Sequence, residues 1–141
     1  GPVWDVETGS LASWPNPWRL VEIGPEGSVR ISSRRVTAIP SLGSTFASYA
    51  EFRLTTGLRD AAIGMLDRMG VRGQAASAIA RRAVAAGSAF HAGDEPGPAP
   101  PVDRSVLGAW ARLAEAVVRE FLDAMGTDLE PADNDLTLSV E

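Results

Sequence analysis

Between Asp103 and Gly126 the apolar residues Val106, Leu107, Trp110, Leu113, Ala114, Val117, Val118, Phe121, Leu122 and Met125 recur at three- and four-residue steps. An α-helix completes a turn in about 3.6 residues, so positions three and four apart share a face, and this spacing predicts a helix over the whole stretch. Asp103 suits its N-cap and Gly126 its end. The stripe is wide, and its burial requires other elements to cover it.

Those elements are legible upstream. Trp18, Leu20 and Glu22 alternate with Arg19, Val21 and Ile23, which predicts a strand covered on both faces. Gly24-Pro25-Glu26-Gly27 is a turn, and Val29 and Ile31 alternating with Ser28, Arg30 and Ser32 form the second arm of a hairpin, extendable through Val36 to Ile39 and stopped by Pro40. Pro15 and Pro17 forbid regular structure across Ser13-Trp14-Pro15-Asn16-Pro17. Residues 46–55 are compatible with helix or strand, and Gly57 is expected to break or bend the element that holds it. A helix capped by Thr56 then places Leu58, Ala62, Met65, Leu66 and Met69 on one face and ends at Gly70. After a turn at Val71-Arg72-Gly73, an Ala-rich helix runs from about Gln74 to Phe90, its small side chains suited to close helix approach. Four prolines make Gly93 to Pro101 an internal linker. Leu136, Leu138 and Val140 alternate with Thr137 and Ser139 as a last strand. The expected class is α+β: an N-terminal β-hairpin, three to four helices forming the core, and a C-terminal strand returning to a small sheet. Residues 3–141 are expected to form a single globular domain, with Gly1-Pro2 read as a tag scar.

Composition removes whole chemistries. The chain has no Cys and no Lys, and His91 is its only histidine. Thiol nucleophiles, disulfides, thiolate-held metals, Schiff bases and the P-loop lysine each need an atom that is missing. No apolar run reaches the ~18 residues of a membrane span. The net charge of −5 hides two blocks: residues 29–87 hold nine arginines against three acids, and residues 120–141 hold seven acids and no base. Either these neutralise each other within the fold or the first forms a basic binding face. A cytoplasmic location is expected, with secretion left open because the native N-terminus is not visible in Gly1-Pro2.

Chemistry-bearing groups are sparse. His91 precedes Asp94 and Glu95, a weak acid–base or metal pattern. Asp128, Glu130, Asp133 and Asp135 invite a calcium reading, but Pro131 interrupts them and the EF-hand glycine and closing Glu are missing. Glu115 with Arg119 and Arg119 with Asp123 are i,i+4 pairs expected on a solvated face. No GxSxG or nucleotide-type glycine loop occurs. No catalytic residue, metal site or cofactor is assigned, and an enzyme is the less favoured reading.

Two recognition patterns stand out. Trp14 and Trp18, flanking a stiff Pro-Asn-Pro loop, have the residue type favoured at protein interfaces; the alternative is a lid over the protein's own sheet. Ala61 to Ala85 resembles the helix-turn-helix of transcription regulators, with Met65, Met69, Val71, Ala76 and Ile79 at apolar positions and Gly70 in the turn. That resemblance implies DNA binding through the Gln74 to Ala85 helix, with Gln74, Ser77 and Arg81 toward the major groove and Arg72 and Arg82 near phosphate. The leading expectation is a non-catalytic protein interaction or assembly module, with a protein partner or a homodimer. DNA binding comes second, and a small-ligand protein or carboxylate-based enzyme third.

Overall fold

The computed structural model describes residues 9–25, 27–93, 101–125 and 135–139. In chain order it holds β1 (Pro17–Ile23), β2 (Ser28–Arg35), α1 (Phe46–Arg68), α2 (Gly73–Ala92), a 3₁₀ turn (Arg104–Val106), α3 (Ala109–Met125) and β3 (Asp135–Ser139). The class is α+β, as the sequence predicts.

β1 and β2 form the expected hairpin, closed by Gly24 N–H donating to the Ser28 carbonyl at 2.7 Å. β3 adds antiparallel to β2, giving the order β1-β2-β3. Opposed residues share a face, so Val21, Ile31 and Leu136 line up in one row and Ile23, Val29 and Leu138 in the next. Two expectations fail here. β1 is not covered on both faces: Trp18, Leu20, Val21 and Ile23 are all exposed, and burial in the sheet centres on Ile31 of β2 and Leu138 of β3. β2 stops at Arg35, where Val36 N–H turns back to the Asn16 carbonyl at 3.0 Å, and Ile39 instead bridges Gly43 in a tight turn.

α1 resolves the ambiguity of residues 46–55 as helix. It runs unbroken through Thr56 and Gly57, so Thr56 is an interior residue rather than a cap. Twenty-three residues of one helix outvote its two glycines, Gly57 and Gly64, whose penalty is only about 1 kcal/mol each. Its end is a Schellman closure: Gly70 takes φ +76°, Gly70 N–H bonds the Asp67 carbonyl at 2.9 Å and Val71 N–H bonds the Leu66 carbonyl at 2.8 Å. α2 follows and packs against both α1 and α3. At Gly87 the α1 side chain Leu58 approaches so closely that an added Cβ would lie 2.9 Å from its Cδ1.

The core is helical. Leu66 and Val71 from the α1 end, Ala76, Ile79 and Ala86 from α2, Leu107, and Ala111, Ala114, Val118 and Leu122 from α3 form one buried cluster. Asp103 caps, but not the predicted helix. Its carboxylate accepts Ser105 N–H at 2.9 Å and starts a single 3₁₀ turn, after which Leu107 is extended and inserts into the core. α3 begins only at Ala109, because a helix continuous from Asp103 would forgo that insertion. Val140 and residues 94–100 and 126–134 lie outside the described residues.

Candidate functional site

α3 carries two apolar faces. Ala111, Ala114, Val118 and Leu122 are buried in the core, while Trp110, Leu113, Val117 and Phe121 remain 59%, 55%, 65% and 65% exposed. The expectation that the whole stripe is buried is therefore corrected. At 100° per residue the apolar arc covers about half of the helix circumference, more than α2, its main neighbour among the described helices, shields. The sequence signal was the width of the stripe. Two interleaved series, 110/113/117/121 and 111/114/118/122, sit side by side, and only one can face α2.

The outer series is held firmly. The Trp110 indole N–H donates to the Met69 carbonyl at 2.7 Å, pinning the start of α3 to the end of α1. Beneath it, Arg82 of α2 and Glu115 of α3 are buried at 7% and 3% exposure. Arg82 contacts Glu115 at 3.5 Å and also bonds Asp123, while Arg104 and Arg119 approach Glu115 at 3.6 and 3.8 Å. Glu115 thus belongs to the α2–α3 interface rather than to the solvated face expected for it. An ion pair at this depth fixes which residues of the two helices oppose each other, since either charge left alone would be buried without a partner.

The aromatic pair Trp14 and Trp18 divides between two elements. Trp14 is half-buried and, with Leu11, Phe46, Tyr49 and Leu58, lines a cleft of about 580 Å³ between the N-terminal loop and α1. Trp18 stands exposed on β1 opposite Arg34 and does not line that cleft.

The helix-turn-helix candidates are also split. Gln74, Ser77 and Arg81 are exposed on α2, and Ser77 and Arg81 border a second cleft of about 550 Å³ with Phe52, Thr55, Thr56 and Arg59 of α1. Arg72 is exposed and paired with Asp67, a hydrogen bond that holds its guanidinium above the ordinary arginine range. Arg82, expected near phosphate, is instead buried against Glu115 and Asp123. Among the described residues the charge blocks meet where Arg82 bonds Asp123 and where β3 pairs with β2, Ser33 N–H donating to Asp135 Oδ1 at 3.3 Å. Of the other arginines of the basic block, Arg30, Arg34 and Arg35 lie on β2 and Arg53, Arg59 and Arg68 on α1.

His91 is half-buried with its ring edge-on to Phe90, centroids 6.1 Å apart. Its suggested partners Asp94 and Glu95 lie outside the described residues, as do Asp128, Glu130 and Asp133. Among the described residues no three His, Asp or Glu side chains gather as a metal site, and no helix is long and apolar enough to cross a membrane. Neither of the two clefts, nor a third of about 590 Å³ beside Gly73, Gln74 and Val106, has a carboxylate among the described residues of its walls. Comparison of the chain with protein-family models, curated proteins and solved structures finds no match.

Proposed function

We propose that this protein is a non-catalytic interaction and assembly module whose contact surface is the outer face of α3. One observation carries the reading: Trp110, Leu113, Val117 and Phe121 project from a single helix face and are each more than half exposed. Singly exposed apolar residues are common on proteins, but a row of four large ones is the kind of patch that marks a contact site. Fully burying one such side chain is favourable by about 1.5–3 kcal/mol, so a partner gains most by covering the row as a unit. Trp and Phe add the rigid aromatic surface typical of interface anchors. Trp18, exposed on β1, is a secondary candidate; half-buried Trp14 is a poorer one. Duplex-DNA binding through α2 has less support, because Arg82 is committed to the α2–α3 interface.

A photo-cross-linking amino acid placed at Val117, compared with one at the exposed loop residue Thr37, tests this in the cells that naturally make the protein. The expected result is a discrete adduct from position 117 and none from position 37. A soluble, well-expressed protein that forms no adduct from position 117 would overturn it.

A further inference from the structure

Resting on that reading of α3, we infer that the occupant of its outer face is a second copy of the chain, with the two α3 helices packed antiparallel about a two-fold axis through Val117.

The spacing of the face is its own mirror. Trp110, Leu113, Val117, Phe121 and Ala124 are separated by three, four, four and three residues. All five fall within an arc of roughly 80° on the helix, so they form a straight seam. Turning the helix end for end about Val117 lays this seam on itself. Leu113 then meets Phe121 of the other copy, the two Val117 side chains meet on the axis, and Trp110 meets the exposed Ala124. The largest side chain is thereby opposed by the smallest, which lets the helices stay close along their whole length. An isologous contact of this kind is the commonest route to a dimer.

The helix dipole selects the same orientation. α3 has no acid in its first turn and no base in its last, so its own charges leave the dipole uncompensated, and an antiparallel copy brings opposite charge to each end.

The size is adequate. Four large side chains, each more than half exposed, offer roughly 500 Å² per protomer. The exposed Glu120 and Ala124 beside them bring the face toward the ~800 Å² per partner of a standard specific interface.

The absence of Cys makes the test clean, since any introduced thiol is the only one present. Sedimentation velocity of the full chain should show a dimer, and Val117→Glu should weaken it at least about a hundredfold by placing two carboxylates on the axis. Circular dichroism checks that this exposed substitution leaves the fold intact. With a short bismaleimide, a mixture of Leu113→Cys and Phe121→Cys chains should cross-link, and neither should do so alone. A protein still monomeric at about 100 μM, a dimer indifferent to Val117→Glu, or Leu113→Cys cross-linking to itself would each overturn the inference. If the chain is monomeric yet position 117 photo-cross-links to a different protein in cells, the inference falls and the interaction reading stands. If it is monomeric and gives no adduct, both fall.

Discussion

The two faces of α3 invert the usual arrangement of a surface helix. Its inner face meets α2 with Ala111, Ala114, Val118 and Leu122 and with a buried carboxylate, Glu115; its outer face presents Trp, Leu, Val and Phe to solvent. Small inner side chains let α3 lie close on the Ala-rich α2, and the ion pair of Arg82 with Glu115 fixes the register that apolar packing of alanines leaves loose. The larger apolar surface is left outside. The difference teaches that the inner face stabilises the fold while the outer face is available for recognition, so substitutions on the two should separate cleanly.

The largest effect should come from the inner face. Glu115→Ala leaves Arg82 buried, with Asp123 its remaining described ion-pair partner, and removes the carboxylate that Arg104 and Arg119 also approach. Denaturant unfolding should show a loss of about 3 kcal/mol or more. Val117→Ser on the outer face should stay within about 0.5 kcal/mol when the protein is diluted enough to be monomeric. Similar losses from both substitutions would erase the distinction between the faces.

A second comparison concerns how α2 is seated. Gly87→Ala brings a methyl to 2.9 Å from Leu58 Cδ1, so Leu58 or the helix must shift, whereas Gly57→Ala in the same bundle meets nothing within 4 Å. Alanine gains about 1 kcal/mol of helix propensity at either site. Only at Gly87 is that offset by overpacking, of order 1–3 kcal/mol. Thermal melts should therefore rank Gly57→Ala above Gly87→Ala by about 1 kcal/mol or more. Equal stability would mean that α1 and α2 are not held as closely as Gly87 implies.

Trp110 joins the two faces, because its ring belongs to the outer row while its N–H is spent on the Met69 carbonyl. Trp110→Phe keeps an aromatic surface and removes that hydrogen bond, for an expected loss of about 1 kcal/mol. Hydrogen exchange should then speed up at the last turn of α1. Unchanged exchange there would show that the bond does not anchor α3.

The architecture was legible where local chemistry and tertiary packing agree. The Gly24–Ser28 hairpin turn, the Gly70 terminator and the alternation at Leu136 and Leu138 each specify their own backbone, and all appear as read. The misreadings share a cause: periodicity tells which residues are apolar together, not which neighbour covers them. β1 alternates well, but no described helix packs closely against it, so its side chains stay exposed. Glu115 looked like half of a solvated i,i+4 pair until Arg82, 33 residues away, gave it a buried partner. The candidate contact face was hidden in the same manner, since a stripe too wide for one neighbour looks in sequence like a stripe to be buried.

The turn that leads into α3 is shaped by Asp103. Its carboxylate is held below the usual aspartate range, first by the Ser105 backbone N–H and then by the Ser105 hydroxyl. The 3₁₀ turn so formed leads to the buried Leu107, and Arg112 Nε donates to the Leu107 carbonyl at 3.1 Å, tying the start of α3 to that turn. A depressed folded-state pKa means that the ionised form favours the folded state: the contribution is complete above the ordinary Asp value and disappears as pH falls through the depressed one. Asp103→Ala should therefore lower stability slightly at neutral pH and converge with the parent protein in acid, a difference measurable by paired denaturation curves across that range. Because Asp103 is fully exposed, this is the smallest of the expected effects. A difference that persisted unchanged into acid would assign the turn to Leu107 packing rather than to its cap.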